Sequence, residues 1–233
     1  MNNPLRILFI GNSYTYYNDM PSHFEKAAIA NGRSVTVESV TKGGWTLEKM
    51  ADPRDEAGQV VAEKLADGNR YDFVFLQEQS VRPASDPELF YDGVRALAPR
   101  IRAVGAKGIL YQTWGSKKGH ESLTLHGWTP EDMTRLLADS YTYIGKRCDL
   151  AVSPVGWAFL DIVQNHPGID LFHADGKHPS PAGSLLALYC HYATLFSADP
   201  LSIDYIGGLA SEEEAAILKK AAHDAVYAAK VSD

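Results

Sequence analysis

The sequence predicts an α/β fold, a parallel sheet of about five strands with helices on both faces. Short apolar runs alternate with segments of helical period from one end of the chain to the other. The run at 71–76 is nearly all apolar, as in strands buried on both faces. The segments that leave the strands are polar or glycine-rich: Gly11-Asn12-Ser13, Lys42-Gly43-Gly44, Gln77-Glu78-Gln79-Ser80 and Gln112-Thr113-Trp114. Ligands of open parallel sheets bind outside the carboxyl ends of the strands, so these four segments mark one edge to search.

The first strand covers 6–10 and ends at Gly11. A tyrosine-rich loop leads to a helix over 21–30, closed by Asn31-Gly32. Residues 34–40 alternate and carry valines, so they form the second strand, broken by Gly43-Gly44. A helix follows over 56–65, stopped by Asp67-Gly68, and then the third strand, 71–76. The helix over 87–104 contains Pro99, which should kink or split it. The fourth strand is 107–112, and residues 115–128 form an excursion with glycine, serine and histidine. Helices at 130–146, 156–164 and 181–196 surround a short last strand at 150–152. Ser211 and Glu214 form a capping box that opens an alanine-rich helix to about residue 230. Nothing repeats and no linker divides the chain, so 1–233 is expected to be a single domain.

Composition narrows the function classes. Hydrophobic residues make up 45% and charged residues 22%, as in ordinary globular proteins. The net charge of −7 and the lack of any basic run disfavour nucleic-acid binding, which needs a basic surface. No apolar run is long enough to span a bilayer, so no membrane partner is expected. No leader is visible, and the chain as it stands reads as cytoplasmic; a removed leader would make it secreted or periplasmic. Cys148 and Cys190 lie outside any metal-binding spacing and read as two buried thiols, with a single disulfide as the alternative. No cofactor or metal is called for, and the oligomeric state is open.

Two pieces of sequence carry chemistry. Ser13 stands two residues past the first strand, after Gly11 and Asn12, which suit a tight turn. A serine there projects from a rigid element, as a nucleophile must, although a turn serine that only caps backbone fits equally well on its own. The second piece is Asp175-Gly176-Lys177-His178-Pro179-Ser180-Pro181. A serine nucleophile needs a base, and the base needs an orienting carboxylate. One turn can present Asp175 and His178 together, while Ser180 as N-cap and Pro181 at the first helical position pin that turn to a helix. A chance pair in a surface loop is the bland alternative in a chain with eight histidines.

Ile10-Gly11-Asn12-Ser13 after the first strand, with Asp175-x-x-His178 before the last major helix, resembles the SGNH (GDSL-type) hydrolase superfamily in a divergent form. The resemblance implies a flavodoxin-like three-layer α/β/α sandwich and a serine esterase with Ser13, Asp175 and His178 as its triad. It also implies an oxyanion hole from the Ser13 amide, the Gly44 amide (Gly43 as the alternative) and the Gln79 side chain. The family's third block is normally Gly-x-Asn-Asp, and here Gln77 replaces the glycine and Gln79 the asparagine. In the first block Asn12 stands for the usual aspartate and Tyr14 for leucine. The implied substrate is a small ester, with an O-acetylated carbohydrate favoured by the polar and aromatic loops. Asn12, Tyr14, Trp45, Gln77 and Trp114 are candidate substrate contacts, with rim packing as the alternative for the tryptophans.

Other residues fit less well. His120 and His126 have no carboxylate or cysteine pattern to make a metal pair, and the excursion that carries them is expected to be a mobile flap over the site. His173 reads as a loop histidine, and Glu78 as paired or pointing into solvent. Three rivals remain: a flavodoxin-like module whose residues 11–15 cradle a phosphate, a catalytically silent glycan-binding domain, and an acyltransferase using the same triad.

Overall fold

The structure, a computed structural model, describes residues 3–231, with side chains through residue 227. Five parallel strands, β1 (Leu5–Gly11), β2 (Val35–Thr41), β3 (Phe73–Leu76), β4 (Lys107–Tyr111) and β5 (Ala151–Ser153), lie in the order β2-β1-β3-β4-β5. This is the flavodoxin-like order, in which the chain reverses direction across the sheet between β1 and β3. The helices are α1 (Ser13–Tyr16), α2 (Met20–Ala30), α3 (Leu47–Ala51), α4 (Glu56–Lys64), α5 (Arg82–Ser85), α6 (Pro87–Ala103), α7 (Glu121–His126), α8 (Pro130–Cys148), α9 (Val155–Asn165), α10 (Pro181–Phe196) and α11 (Glu212–Val231).

Alternation along β1 builds two cores. Ile7 and Phe9 face one layer, where they join Phe24 of α2, Phe159 of α9, Leu185 of α10 and Leu218 of α11. Leu8 and Ile10 face the other, with Val61 of α4, Phe90 and Val94 of α6, and Tyr141 of α8. The three-layer sandwich follows directly from these faces.

Register decides where the site lies. Val40, Ile10, Leu76, Leu110 and Val152 stand in one row across the sheet. The loops that leave all five strands therefore start at the same level and converge on one edge.

Three expectations change. Pro99 does not break α6, which runs unbroken from Pro87 to Ala103. Its buried face (Phe90, Val94, Leu97, Ile101) offsets a proline cost of about 3 kcal/mol, since each such side chain contributes about 1.5–3 kcal/mol. The loop after β1 is not open: it contains the single turn α1, capped by the Asn12 side chain. Both cysteines are free, Cys148 only partly buried in the α8 layer and Cys190 fully buried in the α10 layer. The capping box at Ser211 forms as expected, with Ser211 N–H donating to Glu214 and Glu214 N–H to Ser211.

Candidate active site

The turn after β1 is built around close contacts. A β-carbon on Gly11 would meet Thr15 Oγ1 at 2.5 Å and Gln77 Oε1 at 2.7 Å, so only glycine leaves room there. The Gln77 side chain fills that space: Asn12 N–H and Thr15 Oγ1–H both donate to its Oε1, at 2.8 and 2.9 Å. Asn12 works at both ends of its carboxamide. Its Oδ1 accepts from Tyr14 N–H at 3.1 Å, and its Nδ2 donates to the Trp45 carbonyl at 2.9 Å. Ser13, 8% exposed, opens α1.

His178 arrives on a hairpin before α10. Phe172 bridges Pro179, His173 N–H donates to the His178 carbonyl at 2.8 Å, and Gly176 turns the chain with φ +73°. Asp175 Oδ1 accepts from the amides of Lys177 and His178, at 3.1 and 3.0 Å. Its Oδ2 lies 2.5 Å from His178 Nδ1, and His178 Nε2 lies 2.8 Å from Ser13 Oγ. Burial alone would raise the Asp175 pKa, but the His178 contact and the two amides outweigh it, and the carboxyl is held well below the usual range. Asp175 thus stays ionised beside an imidazole that faces the serine. Ser180 caps α10 through the Gly183 amide at 3.1 Å, with Pro181 in its first turn. His173 remains a loop residue, its Nδ1 3.9 Å from Asp175.

Two loops flank the serine. Trp45 N–H donates to the Lys42 carbonyl at 3.1 Å, closing a turn in which Gly44 has φ +72°, a conformation glycine adopts without strain. The amides of Ser13, Gly43 and Gly44 have no acceptor among the described residues. Gln79 is committed at one end only: its Oε1 accepts from the amides of Val81 and Arg82, both at 3.0 Å, while its Nε2 has just a long 3.5 Å contact to Ser80 Oγ.

Several expected substrate contacts are corrected. Asn12, Tyr14, Gln77 and Trp114 are buried and serve as scaffold. Trp114 stacks on Phe159 at 3.9 Å and on Tyr14 at 4.9 Å, and its Nε1–H holds the Lys177 carbonyl at 3.0 Å. Trp45 carries the ammoniums of Lys42 and Lys49 over its ring, at 3.9 and 4.5 Å, while its Nε1–H is held by Asp55. Its face is engaged by cations.

The excursion after β4 is not a free flap. Lys117 N–H donates to the Gly176 carbonyl at 2.8 Å, so it braces the hairpin that carries His178. His120 caps α7, His126 stacks on Trp128 at 4.2 Å, and no metal-binding group occurs among the described residues. Glu78 is neither paired nor solvated. It is fully buried, with Oε1 accepting from Gln79 N–H at 2.6 Å and Oε2 from Leu47 N–H at 3.1 Å, and burial raises its pKa to about 7.

The sequence sets Tyr17 beside Ser13 among aromatic residues suited to a substrate ring, but the packing of Tyr17 on His178 and the role of Asn18 were missed. The Tyr17 ring stacks on His178, and Asn18 donates to the Pro179 carbonyl. The only hint was the Asn18-Asp19 pair, two residue types that tolerate the left-handed region they occupy.

No protein-family model matches the chain, and no curated protein does. Solved structures do. A DUF4886 family protein from Bacteroides uniformis is 17% identical, with a TM-score of 0.77 over 97% of this chain and 95% of that one. Axe2, an acetylxylan esterase from Geobacillus stearothermophilus, is 15% identical, with a TM-score of 0.62 over 83% of this chain and 95% of that one. At those identities the likeness is one of fold. A candidate SGNH hydrolase from Slackia heliotrinireducens is 30% identical, with a TM-score of 0.74 over 83% of this chain and all of that one. With this identity, the flavodoxin-like strand order and a serine after β1 facing an Asp-x-x-His hairpin, the chain belongs to the SGNH hydrolase superfamily as a divergent member.

Proposed function

We propose that the chain hydrolyses carboxylic esters by two-step acyl transfer on Ser13. The observation that carries this reading is the relay from Asp175 through His178 to Ser13, at 2.5 and 2.8 Å, joining segments 165 residues apart. His178 Nε2 takes the Ser13 proton as Oγ attacks the ester carbonyl carbon. The Asp175 carboxylate keeps the Nδ1–H tautomer and stabilises the imidazolium that forms. His178 then gives the proton to the departing alcohol, and water cleaves the acyl-enzyme by the same route.

The amides of Ser13 and Gly44 and the Nε2–H of Gln79 are the proposed donors to the oxyanion. Each has hydrogen-bonding capacity left over in the folded chain. Such a donor is typically worth about 10² to 10³ in rate. The buried, stacked Tyr14 and Trp114, with the Tyr14 ring 5.3 Å from that of His178, support a short acyl group such as acetyl. Tyr16, 42% exposed beside Gly43, offers a rim for the alcohol portion, for which an acetylated carbohydrate is the preferred class. Axe2, of the same fold, acts on acetylated xylan.

The phosphate-cradle alternative loses support because the Thr15 hydroxyl and the Tyr14 amide are already committed inside the chain. The test is hydrolysis of p-nitrophenyl acetate and of acetylated oligosaccharides by wild type and Ser13→Ala. The variant should lose the activity, and wild-type rates in Ser13→Ala would remove Ser13 from the chemistry.

A further inference from the structure

Two hydrogen bonds in the imidazole plane fix the two nitrogens of His178 but leave the ring free to tilt about the line between them. A planar group against its face removes that freedom. The Tyr17 ring is such a group, parallel to His178 within 5° at a centroid distance of 4.3 Å. It comes from the nucleophile's own segment, four residues past Ser13.

The backbone that presents it is fixed in a defined turn. Asn18 and Asp19 have φ +52° and +53°, the left-handed region, which asparagine and aspartate tolerate better than other residues with a β-carbon. Specific contacts hold this turn. Asn18 Nδ2 donates to the Pro179 carbonyl at 3.0 Å and to Ser184 Oγ at 2.9 Å, and Ser184 Oγ–H donates to the Tyr17 carbonyl at 3.3 Å. Both amide hydrogens of Asn18 are used, and one holds the residue that follows His178. The Tyr17 hydroxyl makes no hydrogen bond among the described residues, so it is the ring face that matters.

We infer that the Tyr17–Asn18 turn is a positioning clasp for the base: Tyr17 sets the tilt of the His178 ring, and Asn18 locks that turn to the base hairpin. The inference rests on His178 being the base for Ser13. A misplacement of about 1 Å in a reacting group costs on the order of 10²-fold in rate, and that sets the scale of the expected effect.

The experiment compares wild type, Tyr17→Phe, Tyr17→Leu and Asn18→Asp by p-nitrophenyl acetate kinetics, by the rate of Ser13 labelling with a fluorophosphonate, and by melting temperature. Tyr17→Phe keeps the face and should stay within about twofold of wild type. Tyr17→Leu keeps bulk without a planar face and should lower kcat and the labelling rate by roughly 10- to 100-fold, with KM little changed. Asn18→Asp sets a carboxylate oxygen against the Pro179 carbonyl and should lower both rates similarly. In each folded variant the ring-current shift of the His178 Cε1 proton reports the stacking directly: retained in Tyr17→Phe, lost in Tyr17→Leu. Wild-type kcat and labelling in Tyr17→Leu, or a Phe variant as impaired as the Leu variant, would overturn the clasp while leaving the triad standing. Failure of wild-type Ser13 to take the label would overturn the triad itself, and the clasp with it.

Discussion

Replacing Glu78 by glutamine and measuring stability across pH tests how the site is held together. Glu78 sits at the end of β3, fully buried, its two oxygens accepting from Gln79 N–H and Leu47 N–H. It thereby ties the Gln79 loop to the chain just beyond Gly44. Burial is the dominant influence on its pKa, which rises from 4.5 to about 7; the two amides and Arg82 oppose the rise without cancelling it, and Arg82 is itself paired with Glu48. Because the folded value lies above the ordinary one, folding takes up a proton between about 4.5 and 7. The stabilisation is complete below that window and is lost as pH rises through it. The rise from 4.5 to about 7 is worth about 3 kcal/mol. Urea unfolding of wild type and Glu78→Gln at intervals from about pH 4.5 to 8 gives two stability curves, and their difference cancels every other titrating group. That difference should fall by about 3 kcal/mol toward high pH. A difference flat within about 0.5 kcal/mol would refute the burial on which the argument rests.

Further predictions follow from neighbouring contacts. Gln79→Glu keeps an acceptor for the Val81 and Arg82 amides but removes the Nε2 donor; kcat should fall by about 10² to 10³ with little change in melting temperature, and unchanged kinetics would take Gln79 out of the oxyanion hole. Gly11→Ala forces a methyl within 2.5–2.7 Å of Thr15 and Gln77 and should cost about 1–3 kcal/mol in urea unfolding along with activity; a neutral substitution would contradict the packing there. Burial lowers the His191 pKa from 6.5 to about 3, so the stability it contributes is present above about pH 6.5 and is lost as pH falls toward 3. His191→Phe should unfold less steeply over that acid range, and superimposable acid limbs would show that the imidazole is not held neutral.

The long elements were legible because each has room for its period: strands of four to seven residues and helices of nine or more carry their buried faces in sequence. The short helices α1, α3, α5 and α7, of four to six residues, were not, since a single turn shows no repeat. Ser13, Asp175 and His178 stood out through residue type and through the caps that fix their loops. Glu78 did not. A glutamate past a strand end reads as solvated, and it is met in the fold by Leu47 of α3, a helix with no sequence signal of its own, and by Tyr141 of α8, sixty-three positions away. Trp114 misled for the opposite reason. An aromatic residue at a strand end suits a ligand platform, yet its partners Tyr14 and Phe159 lie a hundred and forty-five positions apart in sequence.

The departures from the usual family motif are connected by one physical device. Where a glycine, an aspartate and an asparagine are usual, this chain has Gln77, Asn12 and Gln79. Each is a carboxamide that can donate at one end and accept at the other. Gln77 accepts from the Ser13 turn and donates to the Glu78 carbonyl; Asn12 caps α1 and holds the glycine loop through Trp45; Gln79 accepts from the first amides of the turn into α5 and leaves Nε2 with only a long contact to Ser80. An aspartate at position 12 could cap α1 but could not donate to Trp45, so the side-chain tie from the Ser13 turn to the glycine loop needs asparagine, leaving only the backbone bond from Lys42 N–H to the Gly11 carbonyl. The larger Gln77 side chain likewise needs the space that Gly11 leaves open. These substitutions therefore make sense together and not singly: the usual aspartate restored at position 12 alone would break the tie to Trp45 without repairing anything else in the network.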